Sequence, residues 1–280
     1  MDSILHWGIL STGKISHDFV CSLKNKTGHK VVACGARTAQ SAQDFAKQHF
    51  IPKAYGSYLE LVMDPQVQVI YIGSISPQHL NLSKLAIEHG KPVLCEKPLC
   101  MNVKETRELI EFAREKNVFL MEVSYILYCR ILPETVEYFP QKFKISQGIW
   151  SRCFPAYKKL ENELNSIGEI YQVTANFGIP MTWRSTSGTM LDIGIYCVQF
   201  ASFVFKGCKP VKIVAAGHLN SDGVDQSSCT VITYENEKTA TLITHGKVQF
   251  TNDAIIYGTK GTLKVSMHIF FFKTVQSMQQ

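Results

Sequence analysis

Three short stretches of this sequence carry side chains that could do chemistry. In "PVLCEKPLC" an apolar run, Val93-Leu94-Cys95, leads straight into Glu96, Lys97 and Pro98. An ammonium delivered at the end of a buried strand can polarise a bound oxygen or lower the pKa of a neighbouring acid. Pro98 stops the strand, because it lacks the N–H that a ladder requires. Glu96 could hold the ammonium or hydrogen-bond a cofactor, and a surface ion pair fits less well after so apolar a run. In "MLDIGIYC", Asp192 and Tyr196 stand at i and i+4 of an apolar stretch with helical spacing, so they share one face. Taken alone, that pair reads as a helix start with a core tyrosine; beside other functional groups it invites an acid/base role. The third stretch is Ser11, Thr12, Gly13, Lys14, Ile15 and Ser16, a G-x-G-x-x-G turn with serines at the first and third glycine positions. Gly13 is the position that lets backbone approach a pyrophosphate.

These residues need elements to hold them. "HWGILS", "HKVVACGAR", "VQVIYIGS", "PVLCEKP" and "VFLMEV" read as five apolar strands, with helical patterns between them. Continuous apolar strands alternating with helices predict an α/β, doubly wound parallel sheet of the Rossmann kind. Ligands of such sheets bind beyond the carboxyl ends of the strands, which puts Ser11, Arg37, Ser74 and Lys97 along one rim. At the end of the second strand, a NAD-binding chain would show an acid for the ribose 2′-hydroxyl. Arg37 and Thr38 stand there instead, and a guanidinium pairs with a phosphate, which predicts NADP. After about residue 123 the texture changes. "RCFPAYKKLENEL" and "GTMLDIGIYCVQFASFVF" read as helices, while "GEIYQVTANFG", "KIVAAGHLN", "SSCTVITYE", "TATLITHGK" and "DAIIYGTKGTLKVS" read as strands of a mostly antiparallel sheet. The organisation read from the chain is residues 1–122 as a nucleotide-binding domain, 123–147 as an atypical insertion, and 148–280 as an α+β substrate and dimerisation domain.

Composition narrows the function classes. The chain has 280 residues, 45% of them hydrophobic and 19% charged, enough for two packed domains. Its net charge of +6 is scattered, without a basic block interleaved with aromatics, so no nucleic-acid partner is expected. The N-terminus lacks the pattern of a signal peptide, and no apolar run reaches membrane-spanning length. Nine cysteines, an odd count without C-x-x-C, read as free thiols in a reducing cytoplasm. No Cys/His spacing reads as a zinc motif, and no metal is expected.

"EKP" after the fourth strand, together with "IPKAYGSYLEL", "YIGSISPQHL", "FLME", "IWSRCFP", "MLDIGIYCVQF" and "GTKGT", resembles the glucose–fructose oxidoreductase and inositol dehydrogenase family. The resemblance covers most of residues 6–122 and 148–265, and is strongest to the branch that oxidises aromatic trans-dihydrodiols and D-xylose with NADP. It implies that Ser11, Thr12, Gly13, Lys14 and Ile15 bind the cofactor diphosphate and that Arg37 recognises the 2′-phosphate. Ser74, Pro77 and His79 would line the nicotinamide ribose, with Glu96 and Lys97 beneath the nicotinamide and the substrate hydroxyls. Asp192 and Tyr196 would complete the catalytic set with Lys97, and Trp150 would belong to the substrate pocket. The implied chemistry is alcohol oxidation, with hydride going to the nicotinamide and the hydroxyl proton to a base. A free tyrosine, at pKa about 10, is a poor base near neutrality. A nearby ammonium would lower that value; whether Tyr196 or Lys97 takes the proton stays open. The family also implies a homodimer.

The chain departs from the family pattern in three places. About two dozen extra residues lie between "FLME" and "IWSRCFP". The loop "NFGIPMTWRSTSGTMLD" is short, with its usual glycine cluster reduced to Gly188. The ending "SMHIFFFKTVQSMQQ" does not match the family's further strands and helix, so an incomplete second domain and an uncovered aromatic run are expected.

Overall fold

The computed structural model describes residues 4–123, 155–181, 188–268 and 271–278. The chain divides into two units, residues 1–148 and 149–280, and each is described by itself.

In the first unit, six strands form an all-parallel sheet. They are β1 (Leu5–Leu10), β2 (His29–Gly35), β3 (Lys53–Tyr55), β4 (Val69–Ile72), β5 (Val93–Glu96) and β6 (Leu120–Val123), in the order β3-β2-β1-β4-β5-β6. Helices α1 (Lys14–Leu23), α2 (Ala39–His49), α3 (Tyr58–Met63), α4 (His79–Glu88) and α5 (Val103–Glu115) lie in the connections. Successive strand residues point to opposite faces, and both faces are covered. Leu10, Ile70, Ile72 and Val93 join one core with Leu109 and Ala113 of α5. Ile9, Val69 and Tyr71 join another with Phe19 and Leu23 of α1 and Phe45 of α2. Burial on both sides explains the unbroken apolar runs. The strand order reverses between β1 and β4, the crevice where such sheets bind ligands.

The expected five strands omit β3. Three half-buried residues are too few to show a period. What fixes the strand is tertiary: Asp64, at the end of α3, accepts from Lys53 Nζ at 2.8 Å and from the Tyr55 hydroxyl at 3.1 Å.

In the second unit, seven strands run in the order β13-β12-β11-β7-β10-β9-β8. They are β7 (Ile170–Gly178), β8 (Pro210–Leu219), β9 (Asp225–Tyr234), β10 (Thr239–His245), β11 (Asp253–Gly258), β12 (Gly261–His268) and β13 (Phe271–Met278). All neighbours are antiparallel except β7 and β10. Val173 and Phe177 of β7, Leu242, Ile256 and Leu263 pack on Phe200 and Ala201 of α7 (Ile195–Val204) and on Tyr157 and Leu160 of α6 (Pro155–Glu163).

Two details go beyond the sequence reading. The tail, where an uncovered aromatic run was expected, adds a strand: β13 pairs with β12 in antiparallel register from Thr262 against Met278 to His268 against Phe271. The expected helix over 188–205 forms as far as Val204, with a π turn, Met190–Gly194, inside its first half. A Cβ on Gly194 would press on Met190 Sδ and Thr244 Cγ2, so glycine lets the wider turn seat against β10.

Candidate active site

The turn between β1 and α1 joins a strained residue to an uncapped helix start. Ser11 sits at φ 79°, where the first glycine of the full motif would stand. A non-glycine residue there is strained and persists only where its surroundings hold it. Ser11 N–H donates to the Gly35 carbonyl at 2.9 Å, and Gly73 N–H donates to the Leu10 carbonyl at 3.1 Å. Gly13 is the N-cap of α1, with no side-chain cap and no acid in the first turn. A Cβ added at Gly13 would meet only ordinary contacts, 3.8 Å from Gly73 O and 3.9 Å from Ser11 Oγ. Protein packing therefore does not require glycine at this position, whereas close approach of a diphosphate would. Ser16, at the third glycine position, is fully buried. The space it needs is supplied across the interface, because a Cβ on Gly73 would collide with Ser16 Oγ.

Arg37 is exposed, two residues past β2. Among the described residues no hydrogen bond or ion pair is found on its guanidinium. Thr38 caps α2 by accepting from Ser41 N–H at 3.3 Å, and Ser41 Oγ meets Thr12 Oγ1 at 2.8 Å. The corner thus joins a cation, the start of α2 and two hydroxyls, the donor set that suits a phosphate monoester.

The end of β5 carries the densest electrostatics. Glu96 is 7% exposed and accepts from the Tyr71 hydroxyl at 2.7 Å and from Lys97 N–H at 3.3 Å. Burial pushes its carboxyl up to about 7, against the pull of the Tyr71 hydrogen bond and the Lys97 ammonium. Glu122, on β6, is also buried and accepts from Leu99 N–H at 2.8 Å. Burial raises it too, while the Leu99 N–H and the Lys97 charge oppose the rise. Lys97 is half-buried, and its peptide bond to Pro98 is cis. His79 is 1% exposed, with Nδ1 2.7 Å from the Pro98 carbonyl and Nε2 3.0 Å from the Ser74 carbonyl. Burial lowers its pKa, opposed by those two carbonyls and reinforced by the Lys97 charge. His79 thus ties the turn after β4 to the turn after β5, as a positioning residue. Ser74 is half-buried and Pro77 exposed in the short 3₁₀ turn that precedes α4.

In the second unit Asp192 lies in the π turn, 8% exposed, and Tyr196 one turn on, half-buried. The Tyr196 ring meets Phe177 at 5.6 Å between centroids. Asp225 anchors this helix start, accepting from Thr189 Oγ1 at 2.6 Å and Met190 N–H at 2.8 Å. Gly188, at φ +73°, is required here because a Cβ would collide with the Asp225 carboxylate. A carboxylate at a helix N-terminus is favoured by the helix dipole. A π turn is a frequent mark of functional sites. Trp150 lies outside the described residues.

Sequence reasoning missed Tyr71, Glu122, Gly73 and Asp225. Two left a signal: Tyr71 and Glu122 are polar groups inside the apolar runs "VIYIG" and "FLMEV". Gly73 and Asp225 act across long sequence separations and left none.

Residues 5–124 match the oxidoreductase family with a NAD-binding Rossmann fold, and residues 163–264 match the GFO/IDH/MocA C-terminal domain. The chain is 39% identical over 276 residues to the trans-1,2-dihydrobenzene-1,2-diol dehydrogenase of Danio rerio, covering 95% of this chain and 75% of that protein. The enzyme of the same name from Xenopus laevis is 40% identical over 270 residues, covering 92% and 74%. That from Homo sapiens is 39% identical over 272 residues, covering 93% and 74%. Among solved structures, a 3-ketoreductase from Actinomadura kijaniata in complex with NADP superposes with a TM-score of 0.79 at 22% identity, covering 99% of this chain and 81% of that one. No helix among the described residues is long and apolar enough to cross a membrane.

Proposed function

Because the chain belongs to the GFO/IDH/MocA oxidoreductase family, we propose that it oxidises one hydroxyl of a vicinal diol or sugar, with NADP as cofactor. Aromatic trans-dihydrodiols and D-xylose are the substrate classes to try first. The observation that carries this reading is Lys97 at the carboxyl end of β5, its charge acting on two buried carboxyls whose pKa values burial has raised. When bound, the nicotinamide supplies the hydride acceptor. Ser11, Thr12, Gly13, Lys14 and Ile15 hold the diphosphate at the start of α1, and Arg37 with Ser41 takes the 2′-phosphate. Glu96 and Lys97 face the reacting end, where the ammonium stabilises negative charge on the substrate oxygen. Asp192 and Tyr196 take part in orienting the substrate and moving its proton. The free thiols suit a reducing cytoplasm.

The test is purified full chain with NADP+ and benzene trans-dihydrodiol or D-xylose, followed at the absorbance of the reduced nicotinamide. Turnover with either supports the reading. NADP binding without turnover of either would favour a nucleotide-binding protein of this fold that has lost its activity. Cofactor choice has its own check. Loss of a charge-assisted hydrogen bond costs about 1.5–3 kcal/mol, or about 10- to 150-fold in affinity. Arg37→Ala is expected to weaken NADP by that factor in a fluorescence titration and to leave NAD nearly unchanged. Equal weakening of both cofactors would remove Arg37 from 2′-phosphate recognition.

A further inference from the structure

Three metal-ligating side chains that the proposed reaction does not use converge between α1 and α2. His17 and Cys21 stand at i and i+4 of α1 and share a face, and His49 is the last residue of α2. His17 Nδ1 lies 3.0 Å from His49 Nε2, and Cys21 Sγ lies 3.6 Å from His17 Nε2. One ligand atom from each residue falls within 4.8 Å of the other two. A tetrahedral zinc ion, with bonds of about 2.0–2.1 Å to nitrogen and 2.3 Å to sulfur, holds its ligand atoms about 3.3–3.6 Å apart. The two short contacts reach different nitrogens of His17, so only one of them is kept on a metal, and separations of up to 4.8 Å must close by about 1.2–1.5 Å.

We propose that His17, Cys21 and His49 form a zinc site that clips α1 to α2, with water in the fourth position. Imidazole and thiolate together suit zinc better than magnesium or calcium, which prefer oxygen. With Nε2 of His49 on the metal, its proton sits on Nδ1, a buried atom without a hydrogen-bond partner, a cost that the metal bond must offset. Binding breaks the Cys21 S–H bond, releases that proton to solvent and forms a sulfur–zinc bond. The thiolate cancels one of the two metal charges, which offsets the neighbouring Lys24, a cation that also lowers the pKa of His49. Gln48, whose Nε2 is 3.3 Å from His17 Nδ1, gives up that contact. His17 and Cys21 are half-buried, so solvent reaches the cluster. Other described thiols are poor competitors: burial pushes Cys34 up to about 11 and Cys100 and Cys197 up to about 12.

The bland alternative is a histidine pair sharing one proton beside an idle thiol. The two separate by titrating tag-free full chain with Zn2+ in equilibrium dialysis and with Co2+ in absorption. We expect one Zn2+ per chain, a higher Tm with metal, and a thiolate-to-cobalt charge-transfer band. Cys21→Ser, nearly isosteric and half-buried, should fold, lose the cobalt band and weaken zinc by about tenfold or more. His17→Ala should weaken it similarly, and both variants should keep wild-type turnover without metal. Absence of saturable zinc uptake, or wild-type affinity in both variants, overturns the site.

Discussion

Turnover of Lys97→Met is expected to fall by about 10²- to 10⁴-fold, the usual range for losing a positioned acid–base group, while NADP+ still binds. Met keeps most of the aliphatic stem and removes the ammonium, so packing is disturbed little and the charge is lost. That charge lowers Glu96 and Glu122 toward their ionised forms and disfavours a second cation on His79. Without it both carboxyls rise further, so the residual activity should show a pH profile shifted upward. Tyr196→Phe is expected to fall by a comparable factor. If the two groups serve one proton transfer, the double variant should be little worse than the worse single variant, because residues acting as a unit are grossly non-additive. Stopped-flow single turnover at saturating NADP+ separates the chemical step from binding. Strict additivity of the two barriers, or near-full activity in either single variant, would remove the pair from the mechanism.

The parallel sheet was legible because its strands are buried on both faces. Val69, Ile70, Tyr71 and Ile72 are all buried and read as one apolar run. The places of Gly13, Arg37 and Lys97 just beyond strand ends were legible for a related reason, because strand ends follow from hydrophobic runs. What was hidden depends on partners distant in sequence. The three-residue β3 exists through Asp64, nine and eleven residues on from the side chains it holds. The third glycine of the turn after β1 appeared lost at Ser16, yet the space it would provide comes from Gly73. The helix that carries Tyr196 was legible from its apolar period, but its π turn was not, because Asp225 and the bare face of Gly194 that accommodate it leave no mark on that period.

The same locality limit explains the metal-ligand cluster. H-x-x-x-C within one helix matches no familiar zinc spacing, and its third member is 28 residues further on, at the end of another helix. A reading by motif excluded zinc, whereas packing α1 beside α2 creates the constellation. Likewise, nothing in the tail's own residues specifies β12 as its strand partner.

Stability should carry a mark of the same strand end that holds Lys97. Glu96 has a folded-state pKa of about 7 against an ordinary value of 4.5, with burial the first cause. Below the unfolded value both states hold the proton and the site contributes no pH dependence. Between the two values the folded state holds a proton that the unfolded state has released, so stability falls as pH rises. Above about 7 the cost is complete, at about 3 kcal/mol for a shift of this size. Glu96→Gln keeps the shape and removes the titration. Its stability relative to wild type should therefore improve by about that amount between pH 4.5 and pH 8, read from urea unfolding at several pH values. Glu122 adds to the wild-type slope in the same direction and is coupled to Glu96 by charge, while His79, lowered by burial, adds an opposite slope at acid pH that cancels in the difference between the two proteins. Tyr71→Phe makes the converse check. It removes the hydroxyl that favours the Glu96 anion, so in that variant the fall in stability should continue to higher pH than in wild type. A Glu96→Gln curve parallel to wild type across this range would mean that Glu96 is ionised in the folded protein at its ordinary pKa, with burial balanced by its donors.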